Sequence, residues 1–308
     1  MYKIYYSLVM LYYREKIILS LLEEFNGSLG KTQLQKYLFL FTRMQQEPSY
    51  DFIPYNYGCF SFQANKDLEH LQNDKLIVDN DGWKITPAKK SYKDTLNDED
   101  RKILFKIRKE YKDLSTNSLV KKVYLDYPYY TIFSTIKDEV LSKDEQDDIN
   151  KIIDKNYNLS DTSTTLFTIG YEGISFETYL NKLIENNIKV LIDVRKNPFS
   201  HKYGFSKNTL ASVVTKLNIK YVHIPELGIV SEKRQKLETL EDYKILFDEY
   251  EKTLPNKHAY LQKILNYVNE YGRVALTCFE KNVEMCHRTR IKEYILNNLQ
   301  NNLNVVEL

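Results

Sequence analysis

Four side chains in the second half of the chain have the types and positions needed for acid–base or nucleophilic chemistry. Asp193, Glu226 and Glu280 each lie just beyond or at the end of a short apolar run, and Cys278 ends the run that precedes Glu280. A carboxylate within reach of a substrate proton can act as a general acid or base, and a thiolate can act as a nucleophile. We therefore predict catalytic roles for Asp193, Glu226, Glu280 and Cys278.

A second group of residues near these positions is suited to bind an anionic ligand. Arginine is scarce, yet Arg195 lies two residues beyond Asp193, and Arg288 opens the last long helix. A guanidinium beside helix N-terminal amides makes a favourable phosphate site. The loop that contains Phe199 and His201 could act as a lid and stack on a nucleobase. The predicted ligand- or phosphate-binding residues are Gly170, Tyr171, Arg195, His201, His223, His287 and Arg288.

Each of these assignments has a purely structural alternative. Asp193 and Arg195 point the same way along an extended segment and could form a salt bridge that fixes the strand end. Glu226 follows a proline and could brace its loop, while Arg288 could pair with an acidic residue one turn away on its helix. Cys278 could be a small buried apolar residue, because the Cys-x5-Arg phosphate loop of phosphatases and rhodaneses is absent.

Cys278, Cys286 and His287, together with His201 or His223, are of residue types that bind zinc. No Cys-x2-Cys or His-x3-His spacing accompanies them. The adjacent residues Cys286 and His287 are also expected to point in different directions on a helix. We therefore predict no metal site, and the sequence implies no cofactor.

The elements that must position these residues alternate between short apolar strands and amphipathic helices. Strands are predicted at residues 166–169, 189–193, 220–223, 273–277 and 304–307, and helices at 176–186, 207–217, 240–253, 259–271 and 286–297. This order predicts an α/β domain with a doubly wound, mostly parallel, Rossmann-like sheet. Ligands of such sheets bind beyond the carboxyl ends of the strands, where the candidate residues lie.

The first half of the chain predicts a different fold. Helical periodicity covers residues 14–25, 31–43 and 63–73, an irregular stretch covers 50–60, and an Asp-Gly turn within residues 76–86 indicates a hairpin. Three helices followed by a hairpin predict a mostly helical, winged-helix-like α+β domain, with further helices after residue 91. Lys31, Lys36 and Arg43 are candidate nucleic-acid contacts, although they could equally form a solvated helix face.

Length and composition favour two domains in a cytoplasmic protein. The 308 residues are divided into a first domain at 1–158 and a second at 164–308, separated by a short polar linker. The net charge of +2 excludes a strongly basic nucleic-acid coat protein. Three cysteines cannot form a disulfide framework, so we expect a reducing compartment. No membrane association is predicted, and an oligomer is compatible with the sequence.

Four ordered sequence blocks of the second half resemble the domain-of-unknown-function 488 family. The blocks are Thr168-Ile169-Gly170-Tyr171, Ile192-Asp193-Val194-Arg195 with Pro198, residues 221–228, and Cys278-Phe279-Glu280 with Cys286-His287-Arg288. The family is uncharacterised, and some of its members are labelled DNA-repair-like. More loosely, residues 31–40 and 55–61 resemble the winged-helix-like domains of the Panacea antitoxin group, which implies a regulatory or partner-binding module.

Together these patterns predict a two-domain protein with a hydrolase-type enzyme in its second half. The substrate would be a nucleotide or be derived from nucleic acid, and N-glycosidic cleavage is one candidate reaction. The winged-helix-like half would recruit DNA, RNA or a protein, in DNA repair or in defence against phage and mobile elements. Two alternatives remain open: a non-enzymatic ligand-sensing DNA-binding regulator, and a module that binds a protein partner.

Overall fold

A computed structural model describes residues 10–88, 90–157, 159–230, 237 and 239–308. The chain divides into two compact units, an N-terminal unit at Met1–Ile153 and a C-terminal unit at Asp154–Leu308. No helix among the described residues is both long enough and apolar enough to cross a membrane.

The N-terminal unit is mostly helical. Its elements are α1 (Tyr13–Glu24), β1 (Ser28–Leu29), α2 (Lys31–Met44), β2 (Ile53–Tyr55), β3 (Gly58–Phe60), α3 (Phe62–Asn73), β4 (Ile77–Asp79), β5 (Trp83–Ile85), α4 (Asp98–Tyr111), α5 (Thr116–Asp126), α6 (Lys137–Val140) and α7 (Lys143–Asn156). The three predicted helices and the predicted hairpin are all observed. β1, β5 and β4 form an antiparallel sheet in that order.

The turn between β4 and β5 follows from its sequence. Asp81 and Gly82 both have positive φ values, which aspartate tolerates and glycine adopts without strain. A Cβ at Gly82 would also lie 2.7 Å from the carbonyl oxygen of Leu29. Glycine is therefore required here by both backbone conformation and space.

The prediction of an irregular stretch at residues 50–60 is wrong, because β2 and β3 form a hairpin there. Ile53 pairs with Phe60 and Tyr55 pairs with Gly58. Pro54, which cannot donate to a sheet ladder, conceals the strand signal in the sequence. The strand survives because this sheet has only two strands, so the proline can lie on an open edge.

The C-terminal unit is an α/β domain, as predicted. Its elements are β6 (Thr165–Gly170), α8 (Phe176–Glu185), β7 (Val190–Asp193), α9 (Lys207–Lys216), β8 (Lys220–His223), α10 (Leu240–Glu251), α11 (His258–Tyr271), β9 (Arg273–Cys278), α12 (His287–Asn298) and β10 (Asn304–Glu307). The sheet order is β10-β6-β9-β7-β8, and every pairing is parallel. The chain runs from β6 to β7 and β8 in one direction and then back to β9 and β10 in the other, so the sheet is doubly wound and Rossmann-like.

Both faces of the central strands are buried, as expected for a parallel sheet covered by helices. Val190, Ile192, Val274 and Leu276 belong to one apolar cluster with residues of α10, α11 and α12. The alternate residues of the same strands, such as Leu191, are equally buried. This burial holds the strand ends rigidly, so the residues beyond them have fixed positions.

Candidate functional site

The candidate residues lie along one edge of the sheet because parallel strands end on the same side. β9 is the central strand, with β6 and β7 as its neighbours. Gly170 is in register with Cys278, and Asp193 is in register with Thr277. The ends of three strands that are far apart in sequence therefore meet around Cys278.

Two glycines allow the loops at this edge to approach closely. A Cβ at Gly170 would lie 2.0 Å from the carbonyl oxygen of Glu280, and one at Gly228 would lie 2.1 Å from the amide nitrogen of Lys196. Any larger residue would force these backbones apart. The structure thus gives Gly170, a predicted ligand-binding residue, a role in joining the ends of β6 and β9.

Asp193 and Arg195 form a buried network at the end of β7. The carboxylate of Asp193 accepts five hydrogen bonds: four from the backbone and guanidinium of Arg195 and one from the Tyr221 hydroxyl at 2.6 Å. Arg195 also donates from Nη1 to the Tyr171 hydroxyl and to the Phe205 carbonyl, both at 2.8 Å. These contacts fill the roughly four lone-pair positions of the carboxylate. The arrangement corresponds to the structural alternative, a salt bridge that fixes the strand end.

The electrostatics of this network keep Arg195 charged. Burial by itself would lower the pKa of Arg195, but hydrogen bonding and attraction to Asp193 outweigh burial and raise it. Burial, together with the negative charge of Asp193, raises the pKa of Tyr221 above its ordinary value. Tyr221 therefore stays a neutral donor to the carboxylate at physiological pH.

A second cluster, which we call the thiol cluster, lies at the end of β9 and the start of α12. It consists of Cys278, Glu280, Cys286 and His287, whose ligand-type atoms all lie within 4.8 Å of one another. Cys278 Sγ lies 3.0 Å from Glu280 Oε2 and 3.7 Å from His287 Nδ1. Both thiols and the imidazole are almost completely buried.

The tautomer of His287 follows from its surroundings. Its Nε2 lies 3.2 Å from the carbonyl oxygen of Val194, which can only accept a hydrogen bond. Nε2 therefore carries the proton, and Nδ1 presents a lone pair towards Cys278. Nδ1 can act as a base or as a metal ligand.

Arg288 lies beside this cluster and is incompletely paired. Its Nε donates to Cys286 Sγ at 3.0 Å and its Nη2 donates to the Glu280 carbonyl at 2.6 Å. Its Nη1 is buried and has no hydrogen-bond partner among the residues that the structure describes. Burial by itself lowers the pKa of Arg288, but the Cys286 sulfur next to it outweighs burial and raises it. Burial also raises the pKa of the Cys286 thiol well above its usual value.

A cavity of about 360 Å³ opens beside the thiol cluster. It is lined by Tyr171, Arg195, Lys196, Asn197, Phe199, Ser200, His201, Lys202, Ile229, Cys278, Phe279 and His287. None of these described lining residues is acidic. The volume is at the small end of the range for small-molecule sites. The cavity can therefore accommodate a compact anionic molecule.

The loop after β7 supplies most of the polar wall of this cavity. Phe199 is 65% exposed and packs edge-on against the ring of His201 at 4.9 Å. Lys202 donates to the carbonyl of Tyr171 at 2.7 Å, which ties the loop to the end of β6. Phe279, 44% exposed, supplies a second aromatic face.

Other predicted residues lie away from this cavity. Glu226 is in a 3-10 turn (Pro225–Leu227) after β8 and is not among the described lining residues. His223 lies 2.9 Å from the Arg195 carbonyl through Nε2 and 3.1 Å from Lys207 Nζ through Nδ1. His223 therefore stabilises the start of the loop after β7 through its contact with the Arg195 carbonyl.

The candidate nucleic-acid residues of the N-terminal unit do not share an exposed basic face. Lys36 is 1% exposed and donates to the Cys59 carbonyl at 3.1 Å, so a phosphate cannot reach it. Lys31 pairs with Asp79 at 2.6 Å. Arg43 donates to the hydroxyl of Tyr130 at 3.0 Å. Their positions along one predicted helix suggested a common basic face, but the packing of α2 buries one of them and gives the other two different partners.

Sequence reasoning missed several residues of the site. Cys286 was rejected as a partner of His287 because adjacent helical side chains diverge. However, Cys286 precedes α12 and has an extended backbone (φ −131°, ψ 132°), so that argument does not apply to it. The Lys202 and Phe279 side chains had no sequence signal of their own. Their proximity arises only when the ends of β7 and β9 lie side by side.

These features define a Rossmann-like α/β protein with a cationic cavity and a cysteine–histidine cluster at the carboxyl edge of its sheet. Residues 175–295 match the family model described as Domain of unknown function DUF488, which confirms the resemblance of the C-terminal half. No curated protein and no solved structure matches the chain. The resemblance of the N-terminal half to the Panacea group remains a prediction.

Proposed function

We propose that the C-terminal unit is a hydrolase-type enzyme acting on a phosphorylated, nucleotide-sized substrate. The observation that carries this proposal is the cavity, whose described lining has three basic side chains, two exposed aromatic rings and no acid. Cationic groups attract and orient phosphate. Aromatic faces stack on bases with little dependence on base identity.

Each part of the substrate has a counterpart in the cavity. Lys196 and Lys202 would bind the phosphate, because the guanidinium of Arg195 is already occupied by Asp193. Phe199 and Phe279 would stack on the base. The thiol cluster at the floor would supply the reacting groups, and Glu280 is the carboxylate closest to them.

Glu280 is a better candidate than Asp193 for proton transfer. A general base must lie within reach of the proton that it removes. Asp193 has its lone pairs filled by Arg195 and Tyr221. Glu280 contacts a thiol that itself lines the cavity.

The test is turnover of a panel of nucleoside monophosphates and diphosphates, followed by chromatography of the products. We expect Glu280→Gln to lower kcat about 10²- to 10⁴-fold, as loss of a general base does. Glu270→Gln, an exposed change on α11, is the matched control and should leave turnover intact. Equal losses in both variants, or turnover unchanged in Glu280→Gln, would remove Glu280 from the mechanism. A loss of turnover in Glu226→Gln alone would instead identify Glu226, in the loop after β8, as the general base.

A ligand-sensing DNA-binding regulator is the second candidate function. The winged-helix-like order of the N-terminal unit favours it. The charge of α3 gives it little support, because its one lysine, Lys66, pairs with Glu69 at 3.0 Å. A gel-shift assay at low salt separates the candidates, since phosphate contacts are strongest there. Absence of a shift, together with turnover of a nucleotide, eliminates the regulator.

A further inference from the structure

We propose that Cys278, Glu280, Cys286 and His287 form a binding site for one zinc ion. The four residues offer two sulfurs, one nitrogen and one carboxylate oxygen, a donor set that suits Zn²⁺. The site goes beyond the proposed hydrolysis but shares Glu280 with it, so Glu280 would act as a base only when no ion is bound. If a zinc ion binds there, it lies at the cavity wall that Cys278 and His287 form.

The distances between the donor atoms fit tetrahedral coordination. Zinc–sulfur bonds of about 2.3 Å and zinc–nitrogen bonds of about 2.0 Å place neighbouring ligand atoms about 3.3–3.8 Å apart. Cys278 Sγ lies 3.7 Å from His287 Nδ1, and all four donor atoms lie within 4.8 Å of one another. Small side-chain adjustments therefore suffice to enclose an ion.

The imidazole is already held as metal-binding histidines are held. The proton on Nε2 of His287 points to the Val194 carbonyl at 3.2 Å, which leaves the Nδ1 lone pair facing the sulfurs. A ligating histidine commonly donates its other ring nitrogen to a carbonyl or carboxylate, and this contact fixes its tautomer and orientation. The same contact joins the site to the end of β7.

Arg288 supplies the charge that this ligand set requires. Zinc with two thiolates, one carboxylate and a neutral imidazole carries a net charge of −1, and both thiols release their protons to solvent on binding. Arg288 is buried and donates to Cys286 Sγ at 3.0 Å and to the Glu280 carbonyl at 2.6 Å. A buried cation needs a nearby counter-charge. A zinc–thiolate centre with a net charge of −1 provides one directly beside the guanidinium.

The first experiment measures metal content and ligand type without using activity. We expect the full-length protein to bind one equivalent of added Zn²⁺, and added Co²⁺ to produce thiolate charge-transfer and tetrahedral ligand-field bands. Cys278→Ser and Cys286→Ser should each weaken binding at least about 100-fold, more than the 10- to 100-fold loss from outer-shell changes. Cys59→Ser, which changes the third cysteine in the N-terminal unit, is the matched control and should bind normally.

A second measurement covers the case in which the serine variants do not fold. X-ray absorption of the zinc-loaded wild-type protein should show two sulfur neighbours at about 2.3 Å and nitrogen or oxygen neighbours at about 2.0 Å. A shell of nitrogen and oxygen alone, or no stoichiometric binding, overturns the proposal. So does loss of binding in Cys59→Ser with retention in Cys286→Ser. Metal binding and nucleotide turnover are measured separately, so the two proposals can fail separately.

Discussion

Two buried arginines at the same edge of the sheet, one just after β7 and one in the first turn of α12, show how differently one residue type can be used. Arg195 is 6% exposed and meets a carboxylate, a hydroxyl and a carbonyl. Arg288 is 2% exposed, yet within the described part of the chain it contacts one thiol and one carbonyl and its Nη1 has no partner. A saturated ion pair stabilises a strand end. A buried arginine with an unused hydrogen-bond donor indicates a site that a bound ligand or ion completes.

The largest effect on stability is expected for Arg195, the arginine that is fully paired. Arg195→Met leaves Asp193 buried without its ionic partner, which should lower the free energy of unfolding by about 3–5 kcal/mol. Urea denaturation followed by circular dichroism measures the change. Arg290→Met is the matched control, because Arg290 is only partly buried and pairs with Glu293 at 3.0 Å and with Asp248 at 3.9 Å. The control should cost no more than about 1 kcal/mol. Similar losses in both variants would mean that the buried Asp193–Arg195 pair contributes no more to the free energy of unfolding than a partly exposed ion pair.

A smaller effect should follow from removal of the third partner of Asp193. Tyr221→Phe deletes a 2.6 Å hydrogen bond to the carboxylate and should cost roughly 1–2 kcal/mol, because Tyr221 is only half-buried. Since the folded pKa of Tyr221 is raised, its contribution is present in full below about pH 10, the unfolded value. It is lost as the pH rises through the folded pKa. Urea denaturation at pH 7 and at alkaline pH should therefore show that the free energy of unfolding falls more steeply with pH in the wild type than in Tyr221→Phe.

The smallest effect is expected on the unsaturated side. With a chelator present, Arg288→Met should change the free energy of unfolding by no more than about 1 kcal/mol, because replacing a poorly paired buried charge by an apolar side chain is often neutral. The same denaturation assay applies, with Arg195→Met measured beside it. A cost of about 3 kcal/mol or more at Arg288 would show that the two arginines serve the same structural purpose.

The parts of the fold that sequence predicted well are those governed by local periodicity. The predicted strand at residues 220–223 has the bounds that β8 shows, and the predicted helix at 207–217 extends one residue beyond α9. The exception is the hairpin of β2 and β3, where a proline in a two-stranded sheet masked the pattern. Periodicity therefore defines elements well wherever one face of each element is buried.

Prediction of the site was less complete. The sequence correctly drew attention to the strand ends, but it gave Asp193 and Glu280 similar roles. Their difference depends on Tyr221 and Arg195, which saturate one carboxylate, and on Cys278, which contacts the other. Hydrogen-bond saturation is a property of neighbours in space, and the spacing of residues along a chain does not encode it.

The sequence by itself determined a doubly wound parallel sheet in the second half and a helical, hairpin-containing first half. It did so because alternating β-branched and amphipathic runs leave few ways to bury apolar surface. Only the tertiary structure decided that Cys286, eight residues beyond Cys278, meets it beside His287 and Glu280. The physical reason is that the chain turns back after β9 ends at the edge of the sheet. Cys286, which has an extended backbone and precedes α12, therefore faces the end of β9.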